Sequence, residues 1–286
     1  MPAVTLTTHR QIDVGGIRLH VAEAGPEDGP LVVFLHGFPE FWWSWRHQID
    51  AFAMAGFRVV APDLRGYNES DKPEGVRAYE VEALAGDVAG LIRALGRTEA
   101  TIVGHDWGAV VAWSFAMFHG AMTTRLAILN VPHPVAMLRG LRTLRQLRKS
   151  WYVFAFQLPR LPEWAIARND FAFIRQTFAA DGVPAADIER YVLALRQPGA
   201  VSAAVNYYRA GIRRGFAGRQ AAISPIAAPV LVIWGDRDRY LGSELATPPA
   251  DLVPNARVVH IPEASHWVQT AAPVRVNQLL LDFVRS

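Results

Sequence analysis

Three residues set far apart in this chain could act together as a covalent catalyst. Asp106 lies at the centre of Gly104-His105-Asp106-Trp107-Gly108, Asp238 ends Trp234-Gly235-Asp236-Arg237-Asp238, and His266 sits in Glu263-Ala264-Ser265-His266-Trp267. The first pentapeptide follows an apolar β-type run, Ala100-Thr101-Ile102-Val103, and opens a helix-like stretch from Ala109 to Phe118. Its two glycines let the chain turn sharply between strand and helix, so the central side chain is held out in a strained conformation. A carboxylate there is already anionic at neutral pH, with an ordinary pKa of about 3.9. It needs no base to become a nucleophile, and it suits displacement at an electrophilic sp³ carbon, which would leave an alkyl ester on the protein. The bland alternative is an Asp that caps a helix after a glycine turn.

The other two segments supply what such an ester would need next. The order nucleophile, acid, histidine is that of the α/β-hydrolase fold. His266 is the side chain suited to take a proton from water near neutral pH, and an acidic partner would fix its tautomer and stabilise the imidazolium. Asp238 is the expected partner. Asp236, directly after Gly235, is the alternative, although it could simply shape the turn. The run ending at Asn130 is the other position from which such a fold can supply the acid, and it has no carboxylate. Hydrolysis of an ester on Asp106 also requires donors for the oxyanion. His36-Gly37-Phe38-Pro39 follows a buried-strand pattern and offers the Phe38 N–H, with the Trp107 N–H as second donor; Pro39 has no N–H to give. His36 and His105 read as packed structural residues.

The elements that must position these groups follow from periodicity. Ile17 to Ala22, Leu31 to Leu35, Arg58 to Ala61, Thr101 to Val103 and Leu126 to Asn130 read as strands, with helices over His47 to Ala55 and Glu80 to Leu95 between them. This alternation predicts a mostly parallel sheet with helices on both faces. From Pro134 to about Ala222 the pattern becomes helical, rich in aromatics and broken by Pro159, Pro162, Pro184 and Pro198. The strand–helix rhythm resumes over Pro229 to Gly235, continues through Arg257 to Ile261 and ends in a helix from Pro273 to Val284. The expectation is an α/β core formed by residues 1–133 and 223–286, with an inserted all-helical cap over 134–222.

Composition narrows the class. With 286 residues, 51% hydrophobic and 19% charged, the chain can bury a substantial core, and no apolar run approaches the ~20 residues of a membrane span. Residues Met1 to His20 lack the apolar centre of a signal peptide, so a cytoplasmic location is expected. There is no cysteine, which excludes disulfides, thiolate nucleophiles and Cys-based metal sites. The net charge of +3 is modest. A cluster of Arg139, Arg142, Arg145, Arg148 and Lys149, interleaved with leucines, drifts around a 3.6-residue helix and is read as a solvated face. Neither nucleic acid nor membrane is expected as a partner, and monomer and homodimer both stay open.

Taken together, His36-Gly37-Phe38-Pro39-Glu40, Gly104-His105-Asp106-Trp107-Gly108 and Ala264-Ser265-His266-Trp267 resemble the α/β-hydrolase-fold epoxide hydrolases. Asp63-Leu64-Arg65-Gly66-Tyr67-Asn68-Glu69-Ser70-Asp71 is similar to a stretch common in that fold, with Asn68 where glycine is usual; Asn tolerates left-handed geometry. The resemblance implies hydrolysis of an apolar epoxide to a vicinal diol, with no metal or organic cofactor. It also implies two lid tyrosines that donate to the departing oxygen. Asn206-Tyr207-Tyr208-Arg209 resembles one lid motif and maps a donor to Tyr208, and the segment from Trp151 to Pro159 maps the other to Tyr152. Tyr207, Tyr191 or simple lid packing are the alternatives. Phe38, Trp107, Tyr152, Tyr208 and Trp267 are the expected substrate contacts. A haloalkane or haloacid dehalogenase shares the Asp nucleophile, and a non-catalytic small-ligand sensor is the rival from another class.

Overall fold

Strand pairing organises the molecule. The computed structural model describes residues 7–213 and 223–286. Residues 1–6 of the N-terminal stretch, and 214–222 of the expected helical segment, lie outside the described residues. The strands are β1 (Thr8–Asp13), β2 (Arg18–Ala24), β3 (Leu31–Leu35), β4 (Arg58–Pro62), β5 (Ala100–His105), β6 (Thr123–Leu129), β7 (Val230–Gly235) and β8 (Ala256–Ile261). They form one sheet in the order β1-β2-β4-β3-β5-β6-β7-β8. β1 and β2 pair antiparallel, as do β2 and β4, and the remaining pairs are parallel.

The central strands are apolar on both sides because helices cover both faces. Val33 and Leu35 of β3 enter one core cluster, with α2 (Val81–Ala94) and α3 (Trp107–Phe118). Val32 and Phe34 point the other way, into a cluster with α1 (Arg46–Met54) and α11 (Pro273–Arg285). Alternation along a single strand thus serves two layers. The expected elements are present, with ends that differ by up to three residues from the expected ones. β1 is the exception: Thr8–Asp13 buries only Ile12, so its polar sequence gives no strand signal. It forms through backbone pairing with β2 at the sheet edge.

Between β6 and β7 the chain runs through α4 (Pro134–Gly140), α5 (Leu144–Lys149), α6 (Trp151–Ala155), α7 (Leu161–Ala180), α8 (Ala185–Leu195) and α9 (Ala200–Arg213), with no strand among the described residues. Local chemistry sets their starts: His133 accepts from the Val135 N–H before Pro134 opens α4, and the Thr143 hydroxyl accepts from the Gln146 N–H to cap α5. α7 is broken at Arg168–Phe171, where Asn169, Asp170 and Phe171 all take positive φ. Its second half packs Ile174 and Phe178 against Tyr191, Val205 and Tyr208 in a third apolar cluster that also takes in Phe41 and Trp267. This cluster joins the helical segment to the sheet loops that carry the site. The short α10 (Val268–Ala271), unanticipated, follows His266.

Candidate active site

Asp106 stands between β5 and α3 at φ 48°, ψ −123°, a region that non-glycine residues seldom occupy. Close packing around it enforces that conformation. A Cβ on Gly108 would lie 2.1 Å from the Leu35 carbonyl oxygen, and one on Gly37 would lie 2.3 Å from the Asp106 Cβ. Only glycines let the β3 loop, the turn and α3 approach this closely. The Phe38 N–H donates to Asp106 Oδ1 at 2.7 Å. Trp107 is the first residue of α3, so its N–H has no acceptor within the helix. Asn68 does take left-handed geometry, at φ 38°, and its side chain bonds Asp63.

His266 and Asp238, which are 28 residues apart, meet at 2.7 Å between Nδ1 and Oδ2. The other ring nitrogen, Nε2, faces Asp106 Oδ2 at 3.6 Å. That is beyond hydrogen-bond contact but close enough for strong electrostatic coupling. Asp236 goes elsewhere, to His260 at 2.6 Å near the surface. Asp238 is saturated: Oδ2 also accepts from Asn130 Nδ2 at 2.8 Å, and Oδ1 accepts from the N–H groups of Tyr240 and Leu241. Asn130 further exchanges bonds with the Gly235 N–H and carbonyl. The position that lacks a carboxylate therefore serves the acid that stands across from it. Lys149, grouped in sequence with solvated arginines, instead donates to the carbonyls of Asp238 and Leu241 and braces this loop. No sequence signal separates it from its neighbours.

Charge states follow from this packing. Burial works against a protonated His266, but the carboxylates of Asp238 and Asp106 outweigh it and push the imidazole up to about 10. Burial alone would raise Asp106, yet the attraction of the facing His266 ring holds it below the ordinary carboxylate value. Asp238 is held down in the same way, against burial, by His266, Asn130 and the Leu241 N–H.

Tyr152 and Tyr208 face Asp106 across two cavities. One, about 180 Å³, is bordered by Phe38, Phe156, Tyr240, His266 and Trp267. The other, about 330 Å³, is bordered by Trp107, Val131, Met137, Val153 and Ile212. Asp106, Tyr152 and Tyr208 border both. The rings of the two tyrosines lie 5.9 Å apart edge to face. Burial, then the nearby Asp106 charge, raise both phenols well above their usual value and keep them protonated. Tyr207 turns away and donates to the Arg65 carbonyl at 2.6 Å, while Tyr191 packs against Phe178 and Phe41. Phe38, Trp107 and Trp267 are thus all brought to the cavity walls.

Two histidines that adjoin the site are internal ties. His36 Nε2 accepts from the Leu64 N–H at 2.9 Å and Nδ1 donates to the Gly37 carbonyl, which fixes a neutral tautomer. His105 bridges the Glu40 carboxylate, 2.9 Å from Nδ1, and the His266 carbonyl, 3.0 Å from Nε2. Gln269 closes this buried network on Glu40. In the sequence Glu40 stands out only as the last residue of the His36–Glu40 motif, and Gln269 not at all, because nothing local marks a buried polar partner. Trp45 is wholly buried against Phe34, whereas Trp43 reaches across to donate to Asp187 of α8.

Comparison with known proteins places this geometry among relatives. Residues 30–273 match the family model of the alpha/beta hydrolase fold. The chain is 41% identical to the AB hydrolase superfamily protein YfhM of Bacillus subtilis, over 96% of this chain and 97% of that protein. It is 35% identical to epoxide hydrolase 4 of Mus musculus, over 99% of this chain and 81% of the relative. The crystal structure of Bacillus megaterium epoxide hydrolase in complex with an inhibitor superposes with a TM-score of 0.87 at 34% identity, covering 97% of this chain and 100% of the other. The chain belongs to the epoxide hydrolases of the α/β-hydrolase fold.

Proposed function

We propose that this protein is a hydrolase that converts an epoxide and water to a vicinal diol through an ester on Asp106. The observation that carries the reading is the pair of tyrosines, Tyr152 and Tyr208, which border the same cavities as the Asp106 carboxylate. The two Asp106 oxygens divide the work. Oδ1 is already bonded to the Phe38 N–H, so Oδ2 is free to attack a ring carbon. As that C–O bond forms, the ring C–O bond breaks, and the departing oxygen takes a proton from the tyrosines, whose raised pKa keeps them in the donating form.

Esterification neutralises Asp106. One of the two charges that hold a proton on His266 is thereby lost, and the imidazole becomes available as a base. It takes a proton from water, whose oxygen adds to the ester carbonyl carbon, while the oxyanion on Oδ1 rests on the N–H groups of Phe38 and Trp107. Collapse breaks the bond from that carbon to Oδ2. The released alkoxide takes the proton from His266, and the new carboxyl proton resets the tyrosines. Asp238 orients His266 throughout. The steps are complete without a metal or organic cofactor. In this reading residues 134–222 form a cap over a core of 1–133 and 223–286, and the epoxide binds between them beside Trp267.

The test is a panel of aryl and alkyl epoxides beside chloro- and bromoalkanes, assayed for diol and for halide. Diol formation with no halide release is expected. Halide release that exceeds diol formation would make the protein a dehalogenase with the same nucleophile.

A further inference from the structure

The chain's positive charge is concentrated in one place. Residues 134–168 carry six arginines and Lys149 against Glu163 alone, a formal +6, whereas the whole chain carries +3, so the rest of the molecule is net negative. Glu163 is itself committed to Arg209. Arg145 lies 3.4 Å from Glu244, and Arg168 stacks on Trp164. Among the described residues, no carboxylate lies within ion-pair distance of Arg139, Arg142, Arg148 or Arg160, all of them exposed.

The same stretch exposes apolar surface. Of the ten large hydrophobic side chains that stand out into solvent among the described residues, six fall here: Leu144, Trp151, Phe154, Leu158, Leu161 and Trp164. Leu144 is 73% exposed, Trp151 60% and Trp164 57%. Isolated exposed apolar residues need no explanation, but a concentration of them does. Trp151 also borders the smaller cavity and Phe154 the larger, so this surface is continuous with the site.

We infer that the α5–α7 surface docks on an anionic lipid bilayer, with Arg142, Arg148 and Arg160 meeting headgroups and Leu144, Trp151 and Trp164 entering the interface. Arginines beside Trp, Phe and Leu form the composition of interfacial helices, and basic side chains are drawn to anionic leaflets. Among the described residues no helix is long and apolar enough to cross a membrane, so the contact is peripheral. A second copy of the chain fits less well. A two-fold interface sets the same patch against itself, which here would face arginines with arginines and leave no free carboxylate to pair them. This departs from the reading of the arginines as a merely solvated face. The docked orientation would bring the cavity walls to the phase in which apolar epoxides dissolve.

Vesicle sedimentation tests the inference without substrate, so its result stands apart from the proposed reaction. The probes are extruded phosphatidylcholine vesicles with and without one-third phosphatidylglycerol, at low salt. The protein should sediment with the anionic vesicles, stay in solution with the neutral ones, and be released by high salt. Arg142→Glu/Arg148→Glu/Arg160→Glu should weaken binding at least about tenfold, and Leu144→Ser/Trp164→Ser should weaken it without changing its salt response. Circular dichroism and turnover of a water-soluble epoxide check that these variants fold; if the triple variant does not, Arg142→Gln/Arg148→Gln replaces it. Wild-type protein left in the supernatant with anionic vesicles would overturn the inference, as would a folded charge-reversed variant that binds normally. So would a wild-type dimer in size-exclusion chromatography that Trp164→Ser converts to monomer, since the face would then belong to a second copy.

Discussion

Asp106 and His266 approach to 3.6 Å without a hydrogen bond, and in the proposed mechanism each serves a different half-reaction. His266→Gln should therefore still be alkylated and then stall. Intact-mass spectrometry is expected to show one substrate mass added at Asp106, and an unmodified variant after long incubation would count against the assignment. The tyrosines are separable from the nucleophile in the same way. Tyr152→Phe and Tyr208→Phe should each slow alkylation modestly, and the double variant by about 10²–10⁴-fold, the usual contribution of positioned acids. Stopped-flow measurement of ester formation reads this, and an undiminished double variant would reduce both to packing residues. A third expectation concerns pH. The fold raises His266 from 6.5 to about 10, so its protonated form is favoured in the native state. That contribution is full below about pH 6.5 and is lost as pH rises through about 10. Thermal midpoints should fall between pH 7 and 10 in the wild type and fall less in His266→Gln, and parallel curves would show that this histidine is not held protonated.

At the scale of elements, the ends of β6 and β7 build the acid together. Asn130, at the end of β6, bonds both the Asp238 carboxylate and the Gly235 backbone. Asn130→Ala would leave a buried carboxylate with one donor fewer and free two backbone groups of Gly235. The expected cost is about 1–3 kcal/mol of stability, read by urea denaturation, with slower ester hydrolysis and unchanged alkylation. An unaffected hydrolysis step would confine Asn130 to structure. Lys149 reinforces the same loop from α5, so an element of the inserted helical segment helps to hold a residue of the sheet loops.

At the scale of the whole molecule, the helical segment is tied together by a few buried polar joints. Arg209 of α9 bonds Glu163 and the carbonyls of Phe156 and Leu158. Arg209→Met should lower stability by about 1.5–3 kcal/mol, since hydrogen bonds to a charged group are lost and Glu163 is left without its partner. It should also reduce turnover, because Phe156 packs edge to face against Tyr208. Normal activity in a destabilised variant would show that Tyr208 is held by its other ring contacts alone.

Local chemistry made much of this protein legible in its sequence. Two glycines around Asp106 and a buried strand before the Phe38, Asp106 and Asp238 loops are short-range signals, and with the chain order of Asp106, Asp238 and His266 they identified the sheet, the turn and the residues that converge there. Tertiary structure decided what depends on distance in the chain. Asp236 and Asp238 are both acidic and two residues apart, and only packing turns one to His260 and the other to His266. The sequence likewise does not show that Asn130 serves Asp238, that Glu40 and Gln269 close on His105, or that Lys149 leaves its arginine neighbours for the acid loop. It did not show β1 either, whose polar residues carry no apolar alternation and pair with β2 through backbone and through Arg10 to Glu23. Each of these is a long-range polar contact, and polar side chains carry no periodic pattern that announces a partner far along the chain.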